Sequence, residues 1–311
     1  MSPIKSSDRH ASTYSPMPAF ETGFTLALRQ FFTNRAATAG LFCFLIVCIA
    51  AILAPVIAPF DPTRIQLGVK LEPPSFHFLL GTDHFGRDML SRLIWGARVS
   101  LLVGIGVTAF ALLFGVPIGL LAGYVGGRTD NALMRLMDGF LTFPPLLLGV
   151  AVVGLLGPDL QNVMIALGVV QVPVLARIVR GATLSVSKET YVTATRALGA
   201  STGRVILCHI LRNILSAIVV QMTICFSAAI ITEASLSFLG IGTQPPMPSW
   251  GRDLAEARRF IADAPWLFLA PTAAITLCVV SINFIGDGLR DSLDPKSWRA
   301  RRAIVMKKAQ P

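Results

Sequence analysis

Long apolar runs cut by short polar stretches dominate this chain. Six stretches carry no Asp, Glu, Lys or Arg: 36–60, 99–127, 139–158, 160–176, 213–232 and 264–286. A helix needs about 20 mostly apolar residues to cross a bilayer, and each stretch comes near that length. The fourth is the weakest, being short and holding Gln161, Asn162 and Gln171; a re-entrant segment is its alternative. The pattern predicts an all-α membrane protein with six transmembrane helices. It divides the chain into an N-terminal segment (1–35), a first span (36–60), an outer loop (61–98), a five-helix core (99–290) containing a polar loop at 188–213, and a basic tail (291–311).

Composition agrees with that class: 53% of residues are hydrophobic and 14% charged. The net charge of +10 is distributed by side. With the N-terminus inside, the inner segments hold 19 Lys and Arg and the outer ones 8, which sets both termini in the cytoplasm. The tail residues Arg299, Arg301, Arg302, Lys307 and Lys308 read as an anchor to anionic lipid headgroups. Only Trp298 interleaves with them, which argues against nucleic acid. The first apolar stretch starts too late and runs too long for a cleaved signal peptide. Cys43, Cys48, Cys208, Cys225 and Cys278 form no CxxC pair, arguing against disulfides and a metal site.

Residues 1–22, rich in Ser and Pro, are expected to be disordered. Residues 24–35 have the spacing of a helix lying on the inner membrane surface, or of a cytoplasmic extension of the first span. In the outer loop, Thr82 and Asp83 can cap a helix beginning near Arg87, and Gly81 and Gly86 suit turns. Asp83, Arg87, Asp88 and Arg92 read as a solvated charge cluster, with a partner-facing surface as the alternative. Gly115, Gly119 and Gly123 make a small-residue stripe for close helix packing. Pro117, Pro144, Pro145, Pro173 and Pro271 interrupt or open spans. Glu233 is an acid late in the fifth span, expected near the outer edge close to water; a structural role is favoured over a proton relay.

No phosphate-binding GxxxxGK[ST], nucleophile elbow or HExxH occurs, and the four histidines lie outside the spans. The chain is therefore expected to be non-catalytic. Any energy for transport would come from elsewhere.

The stretch KETYVTATRALGASTGRVILCHILRN (188–213) stands apart as a polar element between two spans. Beyond Glu189, the positions of Tyr191, Thr195 and Leu198 share one helical face, with Ala194 beside them and a turn at Gly199. Ser201 can cap a second helix carrying Val205, Ile206 and Ile210. This hairpin reads either as a handle entering a groove on a soluble partner or as an amphipathic loop resting on lipid.

The stretch resembles the "EAA" loop of permeases in binding-protein-dependent ATP-binding-cassette importers. Glu189, Ala194, Gly199, Ile206 and Leu211 fill the motif's places, while Thr195 replaces its second Ala and Arg212 the usual Pro. The segments at 80–101, 123–138, 233–242, 245–254 and 286–295 are similar to the C-type subunit of dipeptide and oligopeptide importers. The likeness spans about residues 24–295. It implies the type I ABC importer permease fold in a bacterial inner membrane. It implies three kinds of protein partner: a homologous permease, two cytoplasmic ATPases and an extracytoplasmic binding protein; membrane lipid is the partner read from the basic tail. ATP and Mg would be used by the ATPases, none being bound by this chain. The helix at 188–199 would sit in an ATPase cleft, Glu189 bonding or pairing with it and Gly199 permitting the turn. Nickel, glutathione and antimicrobial-peptide systems share the subunit type. A stand-alone secondary transporter, which would show inverted repeats, and a membrane scaffold are the competing classes.

Overall fold

A computed structural model describes residues 23–293. The expected disorder of residues 1–22 and the lipid-anchoring tail fall outside the described residues. Within them, the regular structure is helical.

Helix α1 (Gly23–Thr33) is followed by α2 (Arg35–Ile52), the first span. Asn34 separates them: its side chain accepts from the amides of Ala36 and Ala37, starting α2 as a new helix and not as a continuation. Buried Phe31 brings α1 against the inner end of the last span, close to Gly288. One turn, α3 (Ala54–Ile57), opens the outer loop, which crosses back through backbone pairs such as Gln66 N–H to Phe85 carbonyl at 3.0 Å.

The 37-residue α4 (Met89–Val125) begins earlier than the first charge-free position of its stretch. Asp88, not Thr82 or Asp83, caps it, its carboxylate accepting the Ser91 amide at 2.7 Å. The expected cap position is therefore corrected. Thr82 and Asp83 instead hold the loop, Asp83 accepting the amides of Phe85 and Arg87.

The third stretch is not one straight helix. Amphipathic α5 (Gly127–Leu141) and apolar α6 (Pro145–Leu156) meet at a 90° bend around Pro144, and α6 has only 12 residues. By contrast, the stretch that is weakest by composition is α7 (Leu160–Val186), 27 residues long. Among the described residues, five helices are long and apolar enough to span, and a sixth if the bent pair counts as one.

After α7 come α8 (Thr190–Ala197), α9 (Thr202–Arg204), a π-helical segment (Val205–Ile210) and α10 (Leu211–Phe238). Helix α11 (Trp250–Ala257) lies in the outer loop before α12 (Pro265–Leu293).

The glycine stripe fixes the closest packing. A Cβ on Gly115 would stand 3.1 Å from the Val172 carbonyl oxygen, one on Gly119 2.6 Å from that of Ala176, and one on Gly123 2.8 Å from that of Arg180. Helices α4 and α7 therefore touch backbone to backbone along three turns.

Candidate functional site

The hairpin sits on the inner ends of α4, α7 and α10. Glu189 is extended (φ −65°, ψ 141°) and starts α8, but its exposed side chain makes no capping bond. One face of α8 is fastened to the protein. Val192 is fully buried in a cluster with Leu120, Val179, Val205 and Ile214. One turn on, the Arg196 guanidinium lies 4.3 Å above the Tyr124 ring at the end of α4.

The opposite face is left open. Tyr191 is 42% and Leu198 89% exposed, and Ala194 is exposed beside them. Thr195 is half-buried and bonds back to the Tyr191 carbonyl at 2.7 Å, which satisfies its hydroxyl. Burial of part of the Tyr191 ring and the neighbouring Glu189 charge push its phenol above the ordinary tyrosine range, so it stays protonated.

Gly199 ends α8 with φ +83°, a left-handed conformation that a side chain resists. Its amide bonds the Arg196 carbonyl at 2.9 Å and the Ala200 amide that of Thr195 at 3.3 Å. This paired closure is the Schellman helix stop. Ser201 takes an N-cap backbone but makes no side-chain bond. The second helix then departs from the plain α-helix that its spacing predicts. It passes through π geometry at 205–210 before resuming as α10, and Asn213 returns a bond to the His209 carbonyl at 2.7 Å. Below the spans, α5 is tied to α7 by Arg177–Asp138 at 2.5 Å and by Arg180 on Asp130.

At the outer end the structure corrects two expectations. Asp83, Arg87, Asp88 and Arg92 are not solvated; all are buried. Helix α11 folds over them and supplies Asp253 and Glu256. Arg92 donates from Nε to Asp253 at 2.9 Å and from Nη1 to the Pro62 carbonyl at 3.2 Å. Arg87 donates to Asp83 at 2.5 Å and to Glu256 at 2.8 Å, and Arg252 donates to the other oxygen of Glu256 at 2.8 Å. His84 stacks on Phe260 at 5.2 Å, and burial pushes its pKa down, favouring the neutral ring. Donor atoms of Asp83, His84 and Glu256 lie within 4.8 Å of one another, but both carboxylates are already engaged by guanidinium groups.

Glu233 is likewise not near water; it is 1% exposed. Its Oε1 accepts from Ser237 at 2.7 Å, Thr243 at 3.1 Å and Ser249 at 3.3 Å. Ser249 also caps α11. The acid therefore knots the end of α10 to the outer loop.

These features define an all-helical, multi-pass inner-membrane protein with a closed outer cap and an open inner hairpin. The chain belongs to the family of binding-protein-dependent transport system inner membrane components, which matches residues 115–299. Residues 24–74 match the N-terminal transmembrane domain of oligopeptide transport permease C. The chain is 45% identical over 274 residues to a di/tripeptide transport system permease protein of Pseudomonas aeruginosa, covering 86% of this chain and 90% of that one. It is 44% identical over 270 residues to a dipeptide transport system permease protein of Alkalihalophilus pseudofirmus, covering 87% and 89%. Among solved structures, an inward-facing MetNI methionine ABC transporter shares the fold with a TM-score of 0.57 at 20% identity, covering 66% of this chain and 98% of that one.

Proposed function

We propose that this chain is the non-catalytic permease subunit of an ATP-driven importer of dipeptides or short oligopeptides. It would form the membrane path with a homologous permease and receive substrate from an extracytoplasmic binding protein. Two ATPases would bind and hydrolyse ATP with Mg beneath it. The observation that carries the reading is the two-faced α8: fastened through Val192 and Arg196, open through Tyr191, Ala194 and Leu198. A helix pinned on three spans yet presenting an apolar strip and a free acid is suited to a groove on another protein. Closure of the ATPases would press on α8. The Val192 cluster would pass that displacement to α4, α7 and, through the π segment, α10.

The substrate class rests on the peptide-permease relatives. Nickel or glutathione carriage by the same complex type is the alternative. The test is uptake of a labelled dipeptide by cells expressing the chain with its partner subunits. Competition by unlabelled di- and tripeptides, but not by glutathione or nickel, supports the reading. Uptake that survives ATP depletion and follows an ion gradient would replace it with a secondary carrier.

A further inference from the structure

The buried stripe of α10 is one residue out of step with the hairpin that precedes it. Ile210, Ile214 and Ile218, spaced by four, are buried in the cluster that also holds Val192. Counting four residues back from Ile210 gives Ile206. Yet Ile206 is only half-buried against that cluster, and the fully buried neighbour is Val205, five back. In an α-helix, side chains five positions apart point about 140° away from each other. The π geometry of 205–210 absorbs the difference. The Leu211 amide bonds the Ile206 carbonyl, five residues back, in place of the Leu207 carbonyl.

A second packing is therefore available to the same residues. When the segment tightens to α geometry, amides trade a carbonyl five back for one four back, so the number of backbone bonds hardly changes. Ile206 then enters the stripe and Val205 leaves it. Both are β-branched and apolar and differ by one methylene, so either fills the site with a small difference in packing. The chain before the segment is free to follow. Helix α9 has three residues and no side-chain cap bond, and residues 201–204 are exposed. A Cβ on Gly199 or Gly203 would meet nothing within 4 Å. From the α10 side, Asn213 braces the wide turn by donating to the His209 carbonyl at 2.7 Å.

We propose that 205–210 is a two-register coupling element, a proposal that rests on the reading of α8 as the ATPase docking helix. In the observed register Val205 fills the cluster site. Closure of the ATPases draws the segment into α geometry, Ile206 takes the site, and the hairpin shifts along α10 by one residue's rise, about 1.5 Å. Docking thus biases an element with two discrete packings, and the cluster stays filled in both.

The test uses the full complex in a Cys208→Ser background, carrying either Val192→Cys/Val205→Cys or Val192→Cys/Ile206→Cys. A disulfide needs Cα atoms about 4.4–6.8 Å apart, so a slip of one residue changes which pair closes. Without nucleotide, oxidation should favour the first pair. After vanadate trapping of ADP on the ATPases it should favour the second, the ratio of yields changing roughly tenfold. An unchanged ratio in a sample that holds trapped nucleotide overturns the proposal and leaves the importer reading standing. A complex that traps no nucleotide overturns that reading, and the proposal with it. Deletion of Cys208 is the second arm, because it sets Val205 four residues before Ile210 and a plain α-helix then buries it. The deletion should keep the ATPases attached and lower peptide uptake roughly tenfold, whereas Cys208→Ser should keep uptake. Full uptake by the deletion overturns the proposal. So does an equal loss in Cys208→Ser, which would assign the effect to the side chain and not to the register.

Discussion

The two ends of this molecule treat polar side chains in opposite ways. At the outer end, Arg87, Arg92, Asp83 and Asp253 are buried and answer one another. At the inner end, Glu189, Tyr191 and Leu198 are exposed. A buried guanidinium without its carboxylate is expensive, so the outer groups are bound to a single arrangement. The inner hairpin bears no such penalty and can be completed by another protein. The contrast separates residues that hold the fold from residues that present it.

The largest effect should come from Arg92→Ala. It strands the Asp253 carboxylate in the interior and should destabilise the protein by about 3–5 kcal/mol. Thermal unfolding in detergent reads this directly; an unchanged midpoint would mean the cap is wetter than the contrast requires. Next, Gly119→Val drives side-chain atoms into the Ala176 carbonyl and Val179. Overpacking of that kind costs about 1–3 kcal/mol, and the same unfolding assay should place it below Arg92→Ala.

At the inner end the loss should appear in transport and not in folding. Gly199→Val forces a β-branched residue to φ +83° with open space around it, so the exposed hairpin relieves the strain by changing its own turn and leaves the packed spans alone. The unfolding midpoint should move little while ATPase co-purification weakens; full co-purification would remove Gly199 from the docking geometry. Glu189→Lys should insert normally and lower peptide uptake by about tenfold. Normal uptake in that variant would deny the acid its part in coupling. Smallest of all, Leu198→Ser should leave the stability within about 0.5 kcal/mol of wild type, with a modest fall in coupled ATPase rate.

Much of the fold is legible because charge-free runs and cytoplasmic positive charge act along the chain itself. The ranking of the third and fourth spans is inverted for a local reason. Asn162 makes α7 look weak, yet its amide closes the preceding turn, bonding the Leu156 carbonyl at 2.8 Å. Pro144 and Pro145, which read as interruptions, in fact turn the chain by 90°. The outer cap is hidden because Arg92 and its acid are 161 residues apart. No window around Asp83 or Arg92 contains Asp253. Glu233 is misjudged likewise: depth along a span gives its height but not the loop that folds over it. The exposure of Tyr191 and Leu198 on one side of α8 is readable from their spacing, and so is the stop at Gly199. The π segment carries no readable signal, since its apolar positions Ile206 and Ile210 keep ordinary helical spacing.

The glycine contact between α4 and α7 has a mechanical consequence. Helix α4 has 37 residues and is about 55 Å long, well beyond the roughly 30 Å hydrocarbon layer. Pro117 removes one backbone hydrogen bond from it, but the glycine contacts on both sides of that position hold the two parts in line against α7, so the helix acts as one lever. On a lever of that length a tilt of about 5° carries one end roughly 5 Å relative to the other. A nudge at the cytoplasmic end, too small to unpack a single side chain there, would shift the far end by more than the width of a water molecule.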